Sequence, residues 1–154
     1  MKKITIGFIT LLCTIILYSV QTCWAERILS FGGNVSYSIA SWYGPKFHGR
    51  KTASGEIFDM HKFTCAHREY PFGTWLKITN ILNDKTTFCV VNDRGPLYVL
   101  RDLDLSYAAA EMIDMIMLGI CVVRIENMGM DAKYINIIKN FFRNYTGTQL
   151  LQHK

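Results

Sequence analysis

No run of basic residues occurs in this chain: its 17 lysines and arginines are scattered along 154 residues. That excludes the basic arm with which many proteins grip nucleic acid. Cysteines are few. Two of the five lie in the first 25 residues, which leaves Cys65, Cys89 and Cys121 beyond them. Three is odd and too few for a disulfide scaffold, so at most one bridge can form within that part. No internal repeat or low-complexity segment is present, and the length fits one domain rather than two. The spacings of His48, His61 and His67 match no metal-ligand motif. A metal site is therefore not expected from them.

The first 25 residues read as an export signal. Met1-Lys2-Lys3 is a positive start, Ile4 to Val20 is apolar and uncharged, and Cys23-Trp24-Ala25 offers a small residue before a cut ahead of Glu26. Left uncleaved, the same run would anchor the chain in a membrane. Val20-Gln21-Thr22 before Cys23 is a poor match to a lipoprotein signal, so lipid attachment is not expected. Loss of Lys2 and Lys3 lowers the formal charge from +5 to +3. Such a mildly basic surface suits an anionic polymer such as a cell wall, and equally suits plain solubility.

Beyond a lead segment, 26–34, the chain reads as short strands with long turns. Residues 35–43, VSYSIASWY, are rich in β-formers. Residues 75–80, WLKITN, alternate apolar and polar, and strands follow at 86–92 and 120–126. Residues 56–67 show no clear pattern. Ser106 can cap a helix whose stripe is Ala109, Met112, Ile113, Ile116 and Met117, with Gly119 as its stop. A second helix over 131–145 places Tyr134, Ile135, Ile138, Phe141, Phe142 and Tyr145 on one side. That stripe docks on the core or contacts a membrane or envelope partner. The sum is a small β-barrel with an added helix.

Asp93 follows an apolar strand and precedes Arg94-Gly95-Pro96. A carboxyl at a strand end, partly desolvated, can serve as a general acid. It can equally stabilise a turn, since Asn, Asp, Gly and Pro are turn residues. His67, in Thr64-Cys65-Ala66-His67, is a second candidate because its proton exchanges near neutral pH. Cys65 and His67 would share a strand face, which allows a thiolate–imidazole pair. Asp104 is either a favourable charge ahead of a helix or a second carboxyl near Asp93. Trp42, Tyr43, Phe47 and Trp75 can stack on sugar rings or simply fill a core. A Cys89–Cys121 bridge is open in an oxidising compartment.

Five segments, taken in order and spacing, resemble the rare lipoprotein A (RlpA) family. They are ASWYGPKFHGRKTASGEIFD (40–59), TCAH (64–67), PFGTWLKITN (71–80), VVNDRGP (90–96) and DLS (104–106). The resemblance covers about 36–126. It implies a mainly β fold, a six-stranded double-psi β-barrel over 35–127 with one or two added helices, shared with expansins and barwin-like proteins. It implies endolytic peptidoglycan transglycosylase activity on strands lacking stem peptides, with no metal or cofactor. Asp93 and His67 match the family's catalytic residues. Trp42, Tyr43, Ser54, Arg94 and Asp104 are the expected substrate contacts. The partners implied are peptidoglycan glycan strands, in the periplasm or cell envelope.

The chain departs from the family pattern at two points. Cys65 stands where many relatives have alanine. The 128–154 tail, expected to be partly helical, holds no counterpart of the SPOR domain that binds denuded glycans in many members. A non-catalytic, expansin-like wall-binding module and a structural envelope protein are the alternatives.

Overall fold

The computed structural model describes residues 35–152, and the side chains of 35–145. The expected signal and lead segment, 1–34, lie outside the described residues. Six strands form a closed barrel: β1 (Val35–Tyr43), β2 (Thr64–His67), β3 (Trp75–Asn80), β4 (Thr86–Asp93), β5 (Leu103–Ser106) and β6 (Ile120–Gly129). Their order around the barrel is β1-β5-β2-β4-β3-β6. β1 runs parallel to β5 and β2 parallel to β4, while β2–β5, β3–β4 and β3–β6 are antiparallel. Parallel neighbours cannot be joined by a tight turn. The chain therefore makes long crossings, and those crossings supply the walls of the site described below.

Alternation builds the core. Leu76 and Ile78 on β3, Cys89 and Val91 on β4, Leu103 and Leu105 on β5, and Val123 and Ile125 on β6 are each two apart and buried. Side chains two apart on a strand share a face, so these pairs fill the barrel interior. Helix α1 (Tyr107–Met112) packs Ala109 and Ala110 against them, with Ile113 and Met115 just after it.

The strands expected at 35–43, 75–80, 86–92 and 120–126 all form, the last three residues longer than expected. Residues 56–67, which showed no clear pattern, end in β2, and the stretch before Ser106 is β5. Helix α1 is shorter than expected. Ser106 does cap it, its Oγ accepting from the Ala109 N–H at 3.4 Å. The helix stops at Met112 rather than near Gly119. Asn80 and Asn83 donate to the Ile113 carbonyl at 2.9 and 3.1 Å. That takes up an acceptor a longer helix would need. Asp114 then turns left-handed, with φ of 54°. Met117, expected on the apolar stripe, is 95% exposed.

Helix α2 (Ala132–Gln152) covers one side of the barrel. Its Ile138 is buried, Phe141 meets Phe88 at 4.9 Å and Phe142 meets Phe63 at 4.4 Å between ring centres. The centre of the stripe thus faces the barrel and is not free for a partner. Among the described residues, no helix is long and apolar enough to cross a membrane.

The cysteines pair differently from the expectation. Cys65 and Cys89 bring their sulfurs to 2.8 Å, whereas Cys121 lies 4.0 Å from the Met115 sulfur. All three are free thiols. A Cys89–Cys121 bridge is ruled out by this placement, because the two side chains have different sulfur neighbours. The thiolate–imidazole pair fails too. Cys65 is fully buried, and burial, reinforced by Cys89, pushes its pKa well above the ordinary thiol value.

Candidate active site

A cleft of about 540 Å³ opens where the ends of β1, β4 and β5 meet. Register explains what lines it. In the β1–β5 pair Ser41 lies opposite Asp104, and Ser41 Oγ donates to Asp104 Oδ1. In the β2–β4 pair Ala66 lies opposite Asp93, just after a bulge between Cys65 and Ala66. A bulge re-aims the residues that follow it. Asp93 and Asp104 come to line the same cleft, together with Trp42, Tyr43 and Arg94.

Asp93 is held by one oxygen. Its Oδ1 accepts from the Ala53 N–H and from its neighbour Arg94's N–H, both at 2.8 Å. Its Oδ2 has no hydrogen bond among the described residues. Asp93 thus works both as the turn former and as an open carboxyl. The loop that delivers Ala53 is itself tied to the end of β4. Ser54 N–H donates to the Asn92 carbonyl at 3.2 Å, and Asn92 Nδ2 donates to Glu56 Oε2 at 2.8 Å. Gly95 follows with φ of 143°, a backbone setting that side chains disfavour.

The other wall is the 97–101 loop, and Arg68 holds it. Its guanidinium donates to the carbonyls of Pro96 and Arg101, each at 2.8 Å, and to that of Tyr98. Arg94 holds the neighbouring turn: it donates to the His67 and Tyr70 carbonyls at 3.1 and 3.0 Å and lies 3.7 Å from the centre of the Phe72 ring. Its guanidinium is therefore spent largely on the β2–β3 connection.

Aromatics divide between core and cleft. Trp42 meets the Tyr107 ring edge-on at 5.6 Å while lining the cleft. Tyr43 packs on Phe58 at 4.3 Å, and its hydroxyl is buried. Burial, with Cys65 and Asp93 nearby, pushes the Tyr43 pKa far above its ordinary value. Phe47 is about half exposed at the cleft rim. Trp75 sits on β3, away from it.

His67 and Ser54 are not among the residues that line this cleft. Ser54 Oγ meets Thr52 Oγ1 at 3.0 Å in the loop behind Asp93. His67 lines a separate groove of about 320 Å³ with Arg68, Tyr70 and Asp102. Its ring stacks on Tyr70 at 4.1 Å, and its Nδ1 accepts from the Glu69 and Tyr70 N–H groups, both at 3.1 Å. Two donors on Nδ1 leave the proton on Nε2. Burial lowers the His67 pKa, partly offset by Asp102 and Glu69, with Arg94 and Arg68 adding to the lowering. His67 is thus a neutral ring offering an Nε2–H donor. Among the described residues no three His, Cys, Asp or Glu side chains converge as a metal site would require.

Residues 36–125 match the family model described as lytic transglycolase. The chain belongs to this family. The barrel is accordingly a double-psi β-barrel of the lytic transglycolase family. The endolytic peptidoglycan transglycosylase RlpA of Vibrio cholerae is 43% identical over 121 residues, covering 66% of this chain and 46% of that protein. The probable endolytic peptidoglycan transglycosylase RlpA of Aquifex aeolicus is 54% identical over 81 residues, covering 53% and 36%. The chain thus spans half or less of the length of these curated relatives. Among solved structures, an apo expansin of Clavibacter michiganensis shares the fold with a TM-score of 0.53 at 18% identity, covering 64% of this chain and 52% of that one. The Streptomyces papain inhibitor does so with a TM-score of 0.51 at 18% identity, covering 62% and 94%.

Arg68, which holds the 97–101 wall, and the Ala53 N–H, which holds Asp93, are supports of the site that sequence reading missed. Arg68 belongs to no motif that would single it out. A backbone N–H has no letter of its own, so nothing in the sequence marks Ala53.

Proposed function

We propose that this chain is an endolytic lytic transglycosylase. It cuts the MurNAc–GlcNAc β-1,4 bond of peptidoglycan, prefers strands lacking stem peptides, and leaves 1,6-anhydro-MurNAc ends. The observation that carries the reading is Asp93: in a chain of the lytic transglycolase family, it lines the cleft with one carboxyl oxygen fixed by two N–H donors and the other making no hydrogen bond among the described residues.

One open carboxyl suffices for this chemistry. A hydrolase needs two carboxyls, one to protonate the leaving oxygen and one to attack or to activate water. Here the sugar's own 6-hydroxyl is the nucleophile. The attack is intramolecular, so orientation lowers much of the barrier. Protonated Asp93 gives its proton to the glycosidic oxygen, and as carboxylate it takes one from the 6-hydroxyl. No metal or cofactor enters these steps. Asp104, Trp42 and Tyr43 contact the glycan along the cleft, and Arg94 chiefly holds the turn behind it. His67 acts from its own groove, where its Nε2–H donates to a sugar substituent. Ser54 supports Asp93 through its loop rather than touching substrate. The enzyme works in the periplasm or cell envelope, exported by residues 1–25, in wall remodelling or daughter-cell separation. With the centre of the α2 stripe turned inward, an envelope contact would use Ile135 at the stripe's end and Ile137 beside it, both exposed.

His67 is not among the residues that line the cleft with Asp93, which favours a second reading, a wall-binding module that does not cut. Digestion of purified peptidoglycan, intact and peptide-stripped, separates the two. Mass spectrometry of the soluble products should find anhydro ends with the native chain and none with Asp93→Asn. Co-sedimentation with the wall, without any anhydro product, would leave only the binding module.

A further inference from the structure

Two thiols play no part in this mechanism, yet they lie directly beneath it. Cys65 and Cys89 are both 0% exposed, on the inward faces of β2 and β4. Their sulfurs are 2.8 Å apart, less than ~1 Å beyond the length of a covalent S–S bond. The third thiol of the barrel, Cys121, is occupied elsewhere by Met115. Among the described residues, only this pair is placed to couple. Cys65 also stands at the bulge, where β2 shifts register so that Ala66 faces Asp93.

We propose that Cys65 and Cys89 are oxidised to a disulfide that ties β2 to β4 below the cleft. The oxidant is the disulfide of a thiol–disulfide oxidoreductase, or of oxidised glutathione in vitro. The thiolate of one cysteine attacks that disulfide, forming a mixed disulfide and expelling one thiolate of the oxidant. The thiolate of the other cysteine then attacks the mixed disulfide at the protein's own sulfur. The Sγ–Sγ bond forms and the oxidant's second thiolate leaves. Two thiols give up two protons and two electrons, and the oxidant's disulfide becomes two thiols. Both sulfurs are sealed from solvent in the closed barrel, out of reach of an oxidant, and burial disfavours the Cys65 thiolate. Exchange therefore precedes barrel closure during folding.

The cysteines are 24 positions apart. Cross-linking a loop of that size restricts the unfolded chain enough to raise the folding equilibrium constant by about two and a half orders of magnitude. The test is to refold the full chain in a mixture of reduced and oxidised glutathione. Free thiols are then alkylated in denaturant, and the protein is digested with trypsin. Mass spectrometry should find the 63–68 peptide, FTCAHR, linked to the 86–94 peptide, TTFCVVNDR. The urea midpoint should fall when the same protein is refolded in dithiothreitol. Recovery of both peptides alkylated, or of either one linked to the Cys121 peptide, would overturn the proposal. An unchanged urea midpoint on reduction would overturn the stabilising role of the bond.

Discussion

Two substitutions at Asp93 separate its chemical role from its structural one. Its Oδ1 accepts two backbone N–H groups at 2.8 Å, one from Ala53 and one from Arg94. Asp93→Asn keeps an oxygen in that position but carries no titratable proton. Asp93→Ala removes the acceptor altogether. A hydrogen bond to a charged group contributes about 1.5–3 kcal/mol when buried. Asp93 is partly exposed, so water replaces part of what each N–H loses. The two bonds together then hold about 2–3 kcal/mol, which Asp93→Ala forfeits. Asp93→Asn retains both bonds without charge assistance, at a cost of about 1 kcal/mol. Both variants lose the general acid, a loss of ~10²–10⁴-fold in rate, and the upper end applies because one group makes both proton transfers. Urea unfolding gives the stability difference, and the rate of anhydro-end formation gives the other arm. Equal stability of the Ala and Asn variants would refute the anchoring of the 50s loop by Asp93. Anhydro ends formed by Asp93→Asn at the native rate would refute its role as the acid.

His67 and Gly44 yield two further tests. His67 has its pKa lowered from 6.5, chiefly by burial, so between its folded and unfolded values the unfolded chain binds more protons. Stability from this residue is therefore complete above about pH 6.5 and is lost as the pH falls below it. His67→Asn places an amide oxygen near the Nδ1 position without a titrating ring, and should flatten the pH dependence of the urea midpoint below pH 6.5. An unchanged slope would show that His67 does not set it. At Gly44, an added Cβ would lie 2.5 Å from Trp42 Cζ3. Gly44→Ala should force the indole from its place beside Tyr107 and cost about 1–3 kcal/mol, with a shift in tryptophan fluorescence. Native stability and native fluorescence would contradict the Trp42 placement.

Local pattern carried the long strands. The alternation in WLKITN reflects a strand with one face in the core, and Leu76 and Ile78 are indeed fully buried. Ser106 announced its helix because a cap acts on the turn beside it. β2 and β5 left no such trace. Each has four residues, too few for a period, and all of β2 is buried, so inward and outward positions read alike. The helix stop was set from elsewhere, by Asn80 and Asn83 reaching the Ile113 carbonyl across 33 and 30 positions.

The site divides in the same way. Residue type alone made Asp93, Asp104, Trp42 and Tyr43 candidates, because their chemistry belongs to their side chains. Which of them meet is a matter of register. Ser41 faces Asp104 across 63 positions, and Ala53 reaches Asp93 across 40. His67 was as strong a candidate by type, and the fold turned it into another groove with its Nδ1 occupied. Side-chain chemistry is written one letter at a time. Strand pairing and backbone donors are not, since every residue other than proline offers the same N–H, and only the closed barrel selects which one a carboxylate meets.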